Sequence, residues 1–600
     1  MKHLPGTILR VDLSSGTIEK QPMSESLRLD FVGGRGINVK ILFDEVGANV
    51  SPLSPENRLI FGAGLLSGTT APCPARFNVT AKSPLTGILG DSNAGGNFGP
   101  ALRRAGIDNI VFMGKADEPV YLWIDDGKME IRPARHLWGK NIKEAEASIK
   151  EELGDKRVRV AAIGQAGENL VRIANIVHEE RSASRTGVGA VMGSKNLKAI
   201  ALRGDQTAAV ADPAGVDRIA SALRERSVTS VTDKYRKIGT VANLAVFNRL
   251  GTLPTRNFQQ STFEHADALS GETLTEDSVS RRHGCAECTI RCERLFTAVN
   301  GAEQRLEYET LFALGPLCGI QDPVVVLQAA QLCDLYGLDT ISTGGTVAWA
   351  MECSERGLLP DAKRLRFGQA DEFLAVIAAI GERRGLGALL AEGSRRAAIE
   401  VGHESAYWAM HVKGLELPGY EPRSVKSMAL GLAVSPRGAC HNRSGAYEAD
   451  FSGTVDRFHA DPRRGTLVSA SEDFAAVLDS LIVCKFLRHC FDDFYREAAE
   501  LLSTVTGWDC SGAELMRTGA RIHTMKKLFN VREGWQPKDD WLPERLLSET
   551  LPTGVGAGIG LSPDELRQML QSYYQARGWN EDGFVPEEKS TELCLPAVSG

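Results

Sequence analysis

The segment RRHGCAECTIRCERLF places three thiols, Cys285, Cys288 and Cys292, within eight residues as a C-x2-C-x3-C run. Thiolates at that spacing can fill three corners of a tetrahedral metal site and leave the fourth to a residue elsewhere. Structural zinc and an iron–sulfur cluster both suit such a run. Zinc knuckles usually come as paired C-x2-C units, and only one is present, so the fourth ligand has to be remote. Cys484, Cys490 and His283 are the candidates, and a cluster bridging two domains suits that separation. The order is the reverse of the C-x3-C-x2-C of radical enzymes that use S-adenosylmethionine, which disfavours that chemistry. Twelve cysteines in a long chain point to reduced thiols, metal ligation or catalysis rather than a disulfide framework. Apart from Cys484, the remaining eight (Cys73, Cys318, Cys333, Cys353, Cys440, Cys490, Cys510 and Cys594) follow no ligand spacing within their own segments. Most read as small buried hydrophobes.

Eight glycines fall between positions 62 and 99, in FGAGLLSG through DSNAGGNFGP. Such density marks tight turns, the commoner role, or lets backbone approach a large ligand closely. FGAGLLSG has the wrong spacing for a dinucleotide fingerprint, and TTAPCP follows where a helix should start. GVGAVMGSK fails the P-loop pattern because Ser194 separates Gly193 from Lys195. Neither segment binds a nucleotide in that manner.

These groups have to be positioned by a large chain. Six hundred residues exceed one hydrophobic core and imply several domains. With 43% hydrophobic and 24% charged residues, the composition is that of a soluble globular protein. The net charge of -7 gives no attraction to phosphate backbones or anionic lipid, so neither nucleic acid nor membrane is expected as a partner. The N-terminus lacks a signal-like apolar stretch, and a cytoplasmic location is expected. Short β-rich runs such as GTILRVDL, RLIFG, ARFNVTAKS, NIVFMG, PVYLWID and RVRVAAIG fill the first two hundred residues. Apolar spacings of three and four then dominate, as in DEFLAVIAAIGERRGLGALLAEGSRRAAIEVG and DFAAVLDSLIVCKFLRHCFDDF. The expected fold is α+β: an N-terminal β-sheet base over residues 1–207 and two mainly helical domains over 208–415 and 416–600.

Further segments belong with the thiol run: EYETLFALGPLCGI, DLYGLDTISTG and DSLIVCKF, with GGRGIN, SPLTG, DSNAGG and RTGVGAVMGSKNLKAI before them. Together with HGCAECTIRC they resemble the tungsten-containing aldehyde:ferredoxin oxidoreductase family, in the family's order and over nearly the whole chain. The resemblance implies a β-sheet base, two helical domains closing over a cofactor between the three, a tungsten bis-pterin and a nearby [4Fe-4S] cluster. It makes Cys285, Cys288, Cys292 and Cys484 the cluster ligands. The first pterin motif, D-x-x-G-L-D, is matched by Asp334, Gly337, Leu338 and Asp339. The second keeps Asp479 and Cys484 but has Ile482 and Val483 in place of Gly and Leu, so its local backbone is free to differ. The family's magnesium bridges two pterin phosphates through backbone carbonyls, at positions matched by Asn93 and Ala183. Arg76 matches an arginine between pterin and cluster.

Aldehyde oxidation needs a polarised carbonyl, a water-derived oxygen, a place for two electrons and a base. By resemblance, tungsten takes the electron pair and the cluster passes electrons singly to ferredoxin or a ferredoxin-like subunit. Glu309 matches the active-site carboxylate, Tyr308 beside it is a hydrogen-bond donor to substrate or oxo ligand, and His441 faces the metal. Cys318 is a candidate sulfur ligand: aldehyde-oxidising members give tungsten no protein ligand, whereas the aromatic acyl-CoA reductases of the family supply a cysteine. In the aldehyde-oxidising reading Cys318 packs beside the pocket. A catalytically silent cluster-bearing subunit is the remaining alternative, and assembly with like or unlike subunits is left open.

Overall fold

The computed structural model describes residues 6–297, 301, 303–362 and 364–598. Two six-stranded sheets are built from the first two hundred residues. The first contains β1 (Thr7–Asp12), β2 (Thr17–Pro22), β3 (Leu59–Gly62), β4 (Phe77–Lys82), β5 (Leu89–Ala94) and β6 (Asn109–Met113), in the order β2-β1-β6-β3-β4-β5. The second contains β7 (Val120–Asp125), β8 (Lys128–Pro133), β9 (Arg159–Ala162), β10 (Ile176–His178), β11 (Arg181–Ala183) and β12 (Leu197–Arg203), in the order β11-β10-β9-β12-β7-β8. Each sheet has one parallel pair, β1 with β6 and β7 with β12.

Burial explains the composition of these strands. β3 and β4 are buried on both faces, and β4 pairs Phe77 with Ala94 and Lys82 with Leu89 of β5. A core containing Phe61, Phe77, Phe98, Phe112, Ile163, Val191 and Leu202 lies between the sheets and the short helices Phe98–Arg104 and Val188–Ser194. The P-loop look-alike is the second of these helices, and its glycines serve packing. A Cβ on Gly193 would sit 1.9 Å from the Gly167 carbonyl oxygen, and one on Gly189 2.3 Å from that of Asn175. Lys195, the residue a P-loop would aim at phosphate, donates to the carbonyls of Pro55, Asn57 and Gly114 at 3.1, 2.7 and 3.0 Å.

β5 is an edge of the first sheet and β11 an edge of the second. The Ser92 hydroxyl donates to the Ser184 carbonyl across the gap, so the two edges meet there. The remaining chain is mainly helical, as expected, with one departure. β13 (Val279–His283), β14 (Glu293–Thr297) and β15 (Glu303–Leu306) form a three-stranded antiparallel sheet inside the expected helical region. The three clustered cysteines occupy the connection between β13 and β14, where a turn-rich segment has no helical period to reveal.

Helices Tyr308–Leu314 and Thr340–Glu355 pack closely, since a Cβ on Gly344 would meet the Ala313 carbonyl oxygen at 2.2 Å. Helix Arg464–Leu481 packs on Gly34–Glu45, Gly512–Arg532 and Pro563–Arg577, joining the end of the chain to its beginning. Among the described residues no single helix is long and apolar enough to cross a membrane.

The Gly193 contact has a measurable consequence. Gly193→Ala must push the helix Val188–Ser194 away from Gly167, an overpacking cost of about 1–3 kcal/mol. A lowered melting temperature at a fixed scan rate is expected; a value equal to that of the parent would show that the two segments can separate freely.

Candidate active site

A cavity of about 300 Å³ lies against the meeting sheet edges. Its wall is contributed by β5 and the residues after it (Ser92, Asn93, Ala94, Gly95), by β11 and its continuation (Arg181, Ser182, Ser184, Arg185), and by the helical regions. Cys285, Cys288, Cys292 and Cys484 are on that wall, as are Glu309, Tyr308, His441, Asp339 and Arg76. A smaller chamber of about 40 Å³ shares Arg76, Asn442, Arg443 and Lys485 with it and is lined by Asp479.

Two helix ends deliver residues to this cavity in the same way. Pro323–Tyr336 ends at Gly337, in the left-handed region at φ 78° and ψ 51°, where the N–H groups of Gly337 and Leu338 both donate to the Cys333 carbonyl. Arg464–Leu481 ends at Ile482, at φ 61° and ψ 30°, where the N–H groups of Ile482 and Val483 both donate to the Leu478 carbonyl. The segment ending in Cys484 therefore keeps the backbone of the one ending in Asp339 although it lacks the glycine. A left-handed conformation costs an L-residue roughly 1–2 kcal/mol. The Ile482 side chain has no exposure and lies against two glycines: a Cβ on Gly34 or Gly64 would come within 2.6 or 2.7 Å of it. Its burial offsets the strain.

Each turn is followed by a group on the cavity wall. Asp339 follows the first and caps the helix Thr340–Glu355, accepting from Ile341 N–H at 3.3 Å through Oδ1. Its Oδ2 lies 3.6 Å from Arg185 Nη1 and neither atom has a hydrogen bond. Cys484 follows the second turn, and Arg76 Nη2 approaches its Sγ at 3.8 Å. Burial opposes the charge of Arg76, but Cys484, Asp479 and Cys285 outweigh it and raise its pKa. Asp334 is different. It stands outside the cavity wall, accepts from Gln304 Nε2 at 2.6 Å, and burial pushes its carboxyl up to about 6.

Asp479 is enclosed by basic groups, with Arg443 Nη1 at 2.8 Å, Arg35 Nη1 at 3.1 Å and Asn93 Nδ2 donating to Oδ1 at 2.8 Å. Asp91 on β5 has Arg443 Nε at 3.0 Å, Lys526 Nζ at 3.3 Å, Arg35 Nη1 at 3.9 Å and Arg437 Nε at 4.0 Å. Burial holds Lys526 down at about 7, yet three guanidiniums still face two carboxylates. Asn93 and Ala183 lie on the two facing edges, and the Asn93 side chain is engaged with Asn78 and Asp479.

Glu309, near the start of the helix Tyr308–Leu314, accepts from Gly419 N–H at 3.0 Å through Oε2, while Oε1 lies 3.4 Å from His441 Nε2 without a hydrogen bond. Burial pushes its carboxyl up to about 7, against the Gly419 N–H and Arg185. Burial also holds His441 well below the usual imidazole range, reinforced by Lys485, Arg185, Arg437 and Arg443, so the ring is neutral. The Tyr308 hydroxyl is not free for a substrate or oxo ligand, as was expected of it. It donates to the Gly419 carbonyl, so Tyr308 and Glu309 grip the same peptide segment. Tyr420 stacks on Tyr447 at 4.8 Å and flanks His441 at 5.5 Å.

Residues 8–204 match the family model of the aldehyde ferredoxin oxidoreductase N-terminal domain, and residues 216–595 that of its domains 2 and 3. The chain belongs to the aldehyde ferredoxin oxidoreductase family. It is 40% identical over 607 residues, 98% of either chain, to the tungsten-containing aldehyde ferredoxin oxidoreductase of Pyrococcus furiosus, and 40% identical over the same coverage to that of Thermococcus kodakarensis. It is also similar to the aliphatic sulfonate oxidoreductase, WOR-like subunit, of Pyrococcus furiosus, at 28% identity over 98% of this chain and 97% of that one. Among solved structures, the active site complex BamBC of benzoyl coenzyme A reductase with 1,5 dienoyl-CoA superposes with a TM-score of 0.85 at 28% identity, covering 98% and 97% of the chains.

The donor set fits what an aldehyde ferredoxin oxidoreductase holds. Buried cationic surplus beside the cavity suits phosphate groups, and Arg185 Nη1, Arg437 Nε, Asp339 Oδ2 and Glu309 Oε1, which have no hydrogen bond, are polar atoms a polar ligand can satisfy. For the metal, two sulfurs on one tetrahedral ion lie about 3.8 Å apart. Among the described residues no three His, Cys, Asp or Glu side chains converge as a single-ion site requires. Cys285, Cys288, Cys292 and Cys484 share one cavity wall, an arrangement that a cluster spanning them would fit. The other candidate fourth ligands, His283 and Cys490, both lie off the cavity wall that carries Cys484.

Cys318 also lies off the wall. Its thiol is fully buried and directed at the carbonyls of Ala313 and Gly344, at 3.4 and 3.5 Å. Of the eight glycines between positions 62 and 99, Gly95 lines the cavity, and a Cβ there would stand 2.9 Å from Cys285 Sγ. Sequence reasoning missed Asp91, Arg35, Arg437, Arg443 and Lys526, whose types ordinarily mark a solvated surface. It also missed Cys73, which is on the wall.

Glu309 and Asp91 respond to pH in opposite senses. Paired cations hold Asp91 far below the usual carboxylate range. Glu309 has a folded value raised to about 7, so folding stability from this group falls as pH rises from its unfolded value near 4.5 through 7. Protonated-carboxyl infrared absorbance is expected to fall between pH 6 and 8 (about one unit either side of 7), and to fall less in Glu309→Gln, where Asp334, raised to about 6, still contributes. The same fall in both proteins would assign the proton elsewhere.

Proposed function

We propose that this chain oxidises aldehydes with water to carboxylic acids and delivers the electrons through a [4Fe-4S] cluster to ferredoxin or a ferredoxin-like subunit. The observation that carries this reading is the buried Glu309 carboxyl, poised near neutrality beside a neutral His441 on the same cavity wall as the four thiols. The names and identities of the relatives support it.

In this reading Cys285, Cys288, Cys292 and Cys484 bind the cluster, Asn93 and Ala183 supply backbone carbonyls to magnesium, and Asp339, Asp479 and Arg76 hold the two pterins. Asp334, together with Gly337 and Leu338, shapes the first motif from outside the wall. The tungsten bis-pterin, when bound, supplies the two-electron acceptor and the Lewis acidity that aldehyde oxidation needs. The chain supplies the rest. His441 offers Nε2 to the aldehyde oxygen and offsets charge developing there. Glu309 takes a proton released as water becomes part of the carboxylic acid, a task suited to a carboxyl near pH 7. Gly419 N–H keeps Oε2 occupied and leaves Oε1 as the proton acceptor, while Tyr308 fixes Gly419 from the carbonyl side. Tyr420 and Tyr447 exclude water from one side.

Glu309→Gln keeps size and removes the proton acceptor. Turnover of a panel of aldehydes with an anaerobic dye acceptor is expected to fall about a hundredfold to ten-thousandfold, with tungsten and iron contents unchanged. Parent turnover with an unchanged pH profile would exclude Glu309 as the base.

The second reading, reduction of an aromatic acyl thioester, has the benzoyl coenzyme A reductase likeness in its favour. The position of Cys318 argues against it, because the thiol is turned to two carbonyls away from the cavity. Cys318→Ser is expected to leave the sulfur count at the tungsten X-ray edge and aldehyde turnover unchanged. Loss of one sulfur, with thioester reduction in place of aldehyde oxidation, would reverse the choice.

A further inference from the structure

Cys73 follows no ligand spacing, and a free buried cysteine is ordinarily inert packing. Its surroundings are unlike that. Its Sγ lies 3.8 Å from Cys288 Sγ, and it shares the cavity wall with Cys285, Cys288, Cys292 and Cys484. Two thiolates on one tetrahedral ion, with bonds of about 2.3 Å, stand about 3.8 Å apart, so Cys73 is within bonding reach of a metal held by Cys288.

The backbone places it there from both sides. Cys73 N–H donates to the Glu287 carbonyl, one residue before Cys288, at 3.0 Å, and the Cys73 carbonyl accepts from Cys484 N–H at 3.1 Å. Residue 73 thus ties the two ligand-bearing segments together. It does so at φ 58°, in the left-handed region that disfavours residues with a Cβ. Glycine would relieve the strain but bring no thiol.

We infer that Cys73 is a reserve ligand for the cluster iron bound by Cys288. In the exchange one iron–sulfur bond forms to Cys73 as that to Cys288 breaks, and the proton of the Cys73 thiol passes to the departing Cys288 sulfur. No electron moves, and four cysteines still hold four irons. The inference rests on the cluster assignment made under Proposed function, and the experiment separates the two.

Iron and acid-labile sulfide per chain, with the electron paramagnetic resonance spectrum of the reduced protein, are to be compared in the parent, Cys288→Ala, Cys292→Ala, Cys73→Ala and Cys73→Ala/Cys288→Ala. Four irons in the parent and in Cys288→Ala are expected, with altered g-values in the latter. Cys292→Ala and the double variant should fall to three irons or fewer. Cys288→Ala falling as far as Cys292→Ala, or the double variant keeping four, would overturn the inference while leaving the cluster intact; a parent without iron and sulfide would overturn both. Cys73→Ala retains all four assigned ligands and so tests the idea without loss of the site. Its iron should pass to a chelator several-fold faster than that of the parent, and an equal rate would count against the reserve role.

Discussion

The buried carboxylates Asp91 and Asp479 and the cations around them are the constraint on which the arrangement of the cavity depends. Asp91 comes from the edge strand β5, Arg35 from the helix Gly34–Glu45, Asp479 from Arg464–Leu481, Lys526 from Gly512–Arg532, and Arg437 and Arg443 from the loop that carries His441. Segments separated by more than four hundred residues in the chain are fixed to one another through these contacts. Taking such charges out of water costs several kcal/mol per ion, and apolar residues of the same size would often be as stable. The imbalance between guanidiniums and carboxylates is the informative part. A purely structural network gains most from neutrality, whereas a surplus of positive charge beside a cavity is what a bound anion would complete.

The same economy is visible at the two helix ends. A helix that stops in the left-handed region turns its chain sharply, so a residue two positions further on can face the cavity rather than continue along the helix. Asp339 and Cys484 both arise this way. One turn uses glycine and the other isoleucine, and the second is tolerated because the glycines at 34 and 64 leave room for its side chain. The dense glycines of the N-terminal region are therefore explained mainly by close packing between distant segments. Gly64 lies 2.4 Å, measured from a would-be Cβ, from the Leu481 carbonyl oxygen, and Gly99 lies 2.3 Å from that of Arg76.

What could be read from the sequence follows the range of the interactions involved. Strand alternation, helical period and the C-x2-C-x3-C run are local, and the α+β organisation and the three clustered thiols were legible from them. Glu309 and His441 were reachable only through resemblance, since each is an ordinary residue in its own segment, and Cys484 stood as one of three candidate fourth ligands until the resemblance singled it out. The sheet β13–β15 escaped because its strands are short and polar, RRH and EQRL among them. Cys73 was read as inert because its meeting with Cys288, across 215 positions, exists only in three dimensions. Tyr308 was recognised as a hydrogen-bond donor, but its acceptor is the Gly419 carbonyl, which no spacing rule places within reach.

The cavity wall separates two kinds of chemistry without separating them in space. Thiols with Arg76 and Arg181 make one part, and Glu309, His441 and Tyr420 make another. Arg76 is the link, since it lines both chambers and approaches Cys484 while drawing its positive charge from Asp479 as well. The carboxyl part demands a low dielectric, because burial is what lifts Glu309 to about 7 and keeps His441 neutral. The thiol part gains from the opposite, fixed cations that favour thiolate over thiol. Arg181 opposes, without cancelling, the burial that raises Cys285, and its own charge is secured against burial by Cys285 and Glu293. The two parts share one cavity because the cations are attached to the meeting sheet edges and the loop Arg437–Arg443, while Glu309 is held by a peptide bond dipole from Gly419 in place of a counter-ion. A guanidinium bonded to Glu309 would lower its carboxyl into the usual range and leave it ionised but too weak a base to hold a proton near neutral pH, where the neighbouring imidazole is neutral.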